Sequence, residues 1–154
     1  MGLNSVLGAG PVALDTAAFI YFIEEHASFA PLLAPLFRDA DRGRRVLVTS
    51  ALTLLEVLVV PYRAGNAALA ERYEALLTRG RGLRLVDLDH AQLRAAAQLR
   101  AVTRMRTPDA LQLAAALTQG CTTFITNDRA YPEVPGLRVV QLRDVVKQRE
   151  DGST

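Results

Sequence analysis

The sequence predicts an α/β domain built on a parallel sheet of five short strands, and three observations predict it. Short apolar runs alternate along the chain with longer stretches of helical periodicity, which is the pattern of βαβ units. The chain has 154 residues, 50% hydrophobic and 22% charged, a size and balance suited to one real core. No repeat, linker or low-complexity segment divides it, so residues 1–154 read as a single domain with its core over about 12–142.

The elements follow in order. Residues 1–11 contain no basic side chain and no long apolar run, and they read as a short leader without an export signal. Within them Gly8-Ala9-Gly10-Pro11-Val12-Ala13 loosely matches a dinucleotide fingerprint, but it precedes the first strand instead of following one. Val12-Ala13-Leu14 is a buried strand, followed by a helix over residues 16–25 with apolar Phe19, Ile20, Phe22 and Ile23. Pro31 and Pro35 bracket the entry to a second helix, which runs out at Asp41-Arg42-Gly43. Val46-Leu47-Val48 is the second strand; Ser50 then caps a strongly apolar helix that Pro61 is expected to stop.

Gly65-Asn66 separates that helix from another over 67–77, which Gly80-Arg81-Gly82 closes. Residues 83–86 form the third strand. Asp89 with Gln92 three residues later resembles a capping box opening a helix to about Val102. Thr107-Pro108 supplies a cap residue and a first-turn proline, and Gly120 closes the helix they begin. Residues 122–125 and 137–140 are the fourth and fifth strands, and the polar segment 150–154 is expected to be a disordered tail.

Composition narrows the function classes. Cys121 is the only cysteine, so no disulfide forms within the chain and no cysteine cluster can hold zinc; a reducing, cytoplasmic setting is expected. No apolar run approaches membrane-spanning length. The 18 basic and 16 acidic side chains nearly balance, but a site that gathered several acids would leave a basic surface around an acidic pit. All the bases except Lys147 are arginine, which suits phosphate binding and equally suits an arginine-rich codon usage.

Four carboxylates stand where ligands bind in such a sheet, or where a charge is unexpected. Asp15 directly follows the first strand and Asp128 the fourth, so both belong to the carboxyl-end rim. Glu56 sits in Leu52-Thr53-Leu54-Leu55-Glu56-Val57-Leu58-Val59-Val60, apolar on nearly every side and without a base in helical reach. If buried, it must be neutral, hydrogen-bonded or bound to a cation; the alternative is an exposed or snorkelling glutamate. Each of the others has a structural reading too. Asp15 suits a helix cap, Asp109 complements a helix dipole, and Asp128 in Thr126-Asn127-Asp128 suits a turn.

Taken together, these segments resemble the PIN-domain family, and within it the toxin ribonucleases of VapBC-type toxin–antitoxin pairs. The matching pieces are Leu14-Asp15-Thr16, Leu54-Leu55-Glu56-Val57, Thr107-Pro108-Asp109-Ala110-Leu111-Gln112-Leu113-Ala114 and Thr126-Asn127-Asp128. The resemblance implies a three-layer fold with helices on both faces of the sheet. It also implies that Asp15, Glu56, Asp109 and Asp128 are the catalytic acids binding Mg²⁺ or Mn²⁺. Thr126 and Asn127 are implied as supporting residues. An RNA substrate, an antitoxin partner and a homodimer belong to the same expectation. Some family members carry a further acid after the last one; here Arg129, Ala130 and Tyr131 follow instead.

Two rival classes remain at this stage. A non-catalytic RNA-binding or assembly module could use the same fold. A signalling receiver domain also gathers acids at a sheet rim, but it calls for an aspartate pair after the first strand, where this chain has Ala13-Leu14-Asp15. His26 and His90 read as surface or helix-boundary residues, and Cys121 as a small buried hydrophobe.

Overall fold

Central strands buried at every residue, as Val12–Leu14, Leu47–Ser50 and Thr123–Thr126 are here, need cover on both faces, and this requirement sets the architecture. The structure is a computed structural model that describes residues 2–152. The strands are β1 (Val12–Leu14), β2 (Leu47–Ser50), β3 (Leu83–Val86), β4 (Thr123–Thr126) and β5 (Arg138–Gln141). They form one parallel sheet, as the sequence predicts, and its strand order is β3-β2-β1-β4-β5. Seven helices accompany them: α1 (Thr16–Ile23), α2 (Ala30–Asp41), α3 (Leu52–Arg63), α4 (Ala67–Arg79), α5 (His90–Val102), α6 (Thr107–Thr118) and α7 (Leu142–Gly152).

Alternation along the strands divides the core in two. Val12 and Leu14 of β1, Leu47 of β2 and Ile125 of β4 face α1, α2, α4 and α7, where Phe19, Leu33, Tyr73 and Leu142 are buried. Ala13, Val48 and Phe124 point the other way, onto α5 and the alanine-rich α6. Small residues at Ala110, Ala114 and Ala115 let α6 lie close beneath the sheet. The strand order reverses at β1: the chain first builds outward through β2 and β3, then returns to add β4 and β5 on the other side. The carboxyl ends of β1 and β4 therefore flank a topological switch point, where such sheets leave a crevice.

Several local expectations need correction. Pro61 does not stop α3, which continues to Arg63; the ring is buried in the last turns, where one missing N–H is tolerated. Pro35 lies inside α2, not at its entry. Thr107 is the first residue of α6, and Arg106 occupies the cap position. The Asp89 side chain accepts from the Gln92 N–H at 2.9 Å, but the Gln92 amide donates to Thr118 at 2.6 Å, so the capping box is one-sided. Residues 150–152 are helical, forming the end of α7; Ser153 and Thr154 of the expected tail lie outside the described residues. The pattern that betrays α7 is Leu142 and Val145, three apart and both buried. The leader is also anchored, with Leu3 and Leu7 in the first core cluster.

Gly82, ahead of β3, has φ +75°, and a Cβ there would come within 2.4 Å of the Ala40 carbonyl oxygen. Gly65 has φ +66° but faces open space. Urea denaturation should therefore show about 1–2 kcal/mol lost in Gly65→Ala and roughly twice that or more in Gly82→Ala. Equal losses would mean that the contact with α2 yields freely.

Candidate active site

The site begins with a helix cap. Asp15 leaves β1 in an extended conformation, and its Oδ1 accepts from the Ala18 N–H at 3.4 Å, which starts α1. Its other oxygen accepts from the hydroxyl of Thr126, at the end of β4 and fully buried. The same Thr126 hydroxyl accepts from the Asp128 N–H at 2.9 Å, and Asp128 Oδ1 accepts from Ala130 N–H at 2.8 Å. The turn after β4 is thus shaped by side-chain acceptors, which fixes Asp128 beside Asp15 across the switch point.

Asp109 comes from below the sheet, in the first turn of α6. Its carboxylate accepts from the Tyr131 hydroxyl at 3.5 Å and lies 3.9 Å from the exposed Arg106 guanidinium. Glu56, on α3, accepts from the Thr16 hydroxyl at 2.6 Å. It is half-buried and hydrogen-bonded, one of the states expected of a buried carboxylate there. The apolar residues around it divide between two sides of α3: Val57 is buried, whereas Leu55, Val60 and Tyr62 are exposed.

All four carboxylates line one open cavity of about 520 Å³, together with Thr16, Tyr21, Gln112, Asn127, Tyr131, Arg129 and Arg143. Thr126 lies behind the wall. Asn127 faces the cavity but works mainly as an anchor, its Oδ1 accepting from the Arg143 N–H at 2.9 Å at the start of α7.

A buried polar network braces this wall, and the sequence reading does not anticipate it. Gln112 lies one turn beyond Asp109. Its Nε2 donates to Thr53 at 2.8 Å and, more weakly, to Thr16 at 3.4 Å; its Oε1 accepts from the Ser50 N–H at 3.3 Å. Thr53 and Thr49 share a hydrogen bond of 2.7 Å, and Thr49 donates onward to the Leu14 carbonyl at 2.8 Å. The spacing carried a signal: Gln112 is three residues after Asp109, and Thr53 three before Glu56, so each shares a helix face with its acid.

Burial dominates the electrostatics. It raises the Asp15 carboxyl to about 6, against the lowering effect of Thr126 and the Ala18 N–H, and Asp128 and Asp109 push in the same direction as burial. Asp109 is also raised, first by burial and then by Asp128, while Arg106 opposes. Burial and the neighbouring acids raise the Tyr131 phenol as well, so it remains a hydrogen-bond donor at neutral pH. The site holds more negative charge than its own side chains neutralise. Its donors are all hard oxygens, the set that suits Mg²⁺ or Mn²⁺. Among the described residues no three His, Cys, Asp or Glu side chains close on one point to cage a cation. The acids ring the cavity instead, an arrangement that fits a cation retaining part of its water shell.

Residues 12–137 match the family model described as PIN domain, which spans both aspartate-bearing strand ends and both acid-bearing helices. The chain belongs to the PIN domain family. Its fold resembles that of a toxin–antitoxin complex from Klebsiella pneumoniae, with TM-score 0.65, 19% identity and 85% and 97% of the two chains covered. Rickettsia felis VapBC2, bound to a promoter DNA fragment, gives TM-score 0.58 at 19% identity, covering 85% of this chain and 98% of that one. Mycobacterium tuberculosis VapC20, described as a sarcin-ricin loop cleaving toxin, gives 0.56 at 16% identity, covering 73% and 86%. No curated protein matches the chain. At these identities the likeness is one of fold. The three-layer arrangement that the family resemblance implies is the one observed, and no described helix is long and apolar enough to cross a membrane.

The raised Asp15 carboxyl has a pH consequence for this PIN domain without bound cations. The folded chain keeps that proton to about pH 6, whereas an unperturbed carboxyl loses it near 3.8. Between these values the folded state binds more protons, so the Asp15 contribution to stability falls as pH rises and stays low above about 6. With EDTA present, Asp15→Asn should therefore be more stable than the parent at pH 7, by about 1–3 kcal/mol. The gain should vanish near pH 4, and thermal melts at the two pH values check both halves.

Proposed function

We propose that the chain is a metal-dependent endoribonuclease, the toxin of a type II toxin–antitoxin pair, which hydrolyses RNA phosphodiester bonds. One observation carries the reading: Asp15, Glu56, Asp109 and Asp128, drawn from four separate elements, line a single cavity at the carboxyl edge of the sheet. Likeness to toxin–antitoxin proteins, one of them described as a sarcin-ricin loop cleaving toxin, supports it at the level of fold. An antitoxin partner, a homodimer and a cytoplasmic setting belong to the same proposal. The buried, reduced Cys121 is compatible with that setting.

In this mechanism the four acids hold Mg²⁺ or Mn²⁺. The cation, when bound, supplies Lewis-acid stabilisation of charge on the scissile phosphate and lowers the pKa of a water. The protein's own part is orientation. Thr126 holds Asp15, Thr16 holds Glu56, and the Tyr131 hydroxyl donates to Asp109, so three acids keep fixed lone-pair directions before substrate arrives. Asp109 or Asp128, both half-buried and lining the cavity, would take the proton of the attacking water. Single-stranded or looped RNA is the substrate proposed, because its backbone bends into a narrow pit.

Purified protein should cleave total RNA with Mg²⁺ or Mn²⁺ and lose the activity in EDTA. Asp15→Asn and Asp109→Asn should each reduce the rate on the order of a hundredfold or more. Saturating Mg²⁺ should raise the melting temperature of the parent. Cleavage undiminished in both variants would identify a contaminating nuclease and overturn the reading.

A further inference from the structure

Three arginines border the cavity or its lip: Arg106 ahead of α6, Arg129 after β4, and Arg143 in the first turn of α7. Two are engaged. Arg129 donates to the Asp144 carboxylate at 2.9 Å, and Arg106 lies 3.9 Å from Asp109. Arg143 differs, because its exposed guanidinium makes no hydrogen bond or ion pair among the described residues although it lines the same cavity.

The root of that side chain is nevertheless fixed. The Arg143 N–H donates to Asn127 Oδ1 at 2.9 Å, and Asn127 stands between Thr126 and Asp128 in the segment that carries the acids. An anchored cation at the edge of an acidic pit, its guanidinium without a partner among the described residues, is suited to an anion that arrives from solvent. Four carboxylates repel a polyanion, and a divalent cation offsets only part of that charge. A positive group at the rim is therefore needed to bring the strand in.

Resting on the ribonuclease reading above, we propose that Arg143 binds a backbone phosphate of single-stranded RNA, neighbouring the phosphate at the carboxylates, and so sets the strand's path across the cavity. The planar guanidinium can grip two phosphate oxygens at once, and such a contact carries no base preference.

The test measures binding of a labelled single-stranded RNA by fluorescence anisotropy across a salt series, in an Asp15→Asn background that leaves the strand uncut. Arg143→Gln should raise Kd roughly five- to tenfold at low salt and flatten the slope of log K against log salt by about 0.7. Arg143→Lys, which keeps the charge, should retain the slope. Unchanged Kd and slope in an Arg143→Gln protein that melts like its parent would overturn the role of Arg143 alone. Failure of the Asp15→Asn parent to bind RNA at all would overturn the ribonuclease reading and this inference together.

Discussion

Bringing four carboxylates to one partly desolvated cavity works against their mutual repulsion, and the polar architecture at the sheet edge is arranged around that opposition. Each acid has a donor: Thr126 and the Ala18 N–H for Asp15, Thr16 for Glu56, the Ala130 N–H for Asp128, and Tyr131 for Asp109. All of these donors are neutral. They fix the direction of each carboxylate without removing its charge, and among the described residues the one ion pair made by these acids, Arg106 with Asp109, spans 3.9 Å. Close lysine or arginine pairs would have made a quieter, more stable surface and discharged the cavity. The protein instead accepts an Asp15 carboxyl raised to about 6.

That tension needs a rigid backing, and Gln112 supplies it from inside. The hydrogen bonds run on from it: its amide nitrogen donates to Thr53, Thr53 and Thr49 share a hydrogen bond, and Thr49 donates to the Leu14 carbonyl beside Asp15 and, at 3.3 Å, to the Gln112 oxygen. Its oxygen accepts from the Ser50 N–H at the end of β2. One buried side chain thereby ties α6 to β2 and α3, with a weaker tie to Thr16 of α1, so three of the four acids hang from elements that it joins. A polar group so deep is stabilising only when its partners are complete, and here both its donor and acceptor sides are used.

The sheet was legible because its strands are short and apolar with residues such as Val12, Val48 and Ile125, and β-periodicity survives even three residues. The acids were legible because Asp15 and Asp128 break off at strand ends, while Glu56 interrupts an apolar helix. What the one-dimensional pattern does not carry is partnership. Nothing in Thr16 or Thr53 announces that they meet across 37 positions, and Glu56 looks unpartnered until α1 is packed against α3. Pro61 read as a stop because proline usually is one; burial of its ring in the final turns outweighed the missing hydrogen bond. Helix α7 escaped notice because its apolar face is confined to Leu142 and Val145, with Val146 half-buried beside them.

The strand order carries a temporal consequence. Asp15 follows β1, the first strand of the sheet in chain order, yet the hydroxyl that holds it belongs to Thr126, and Asp128 follows β4, which pairs with β1 only after two βα excursions on the other side. A chain emerging from the ribosome therefore carries Asp15, Glu56 and then Asp109 as isolated acids on an unfinished sheet. Non-local pairing of β4 against β1 is the step that gathers them, and it must wait for β4, the fourth strand in chain order. Nascent fragments lack the assembled pit, so its charge repulsion arises only when nearly the whole hydrophobic core is available to hold it.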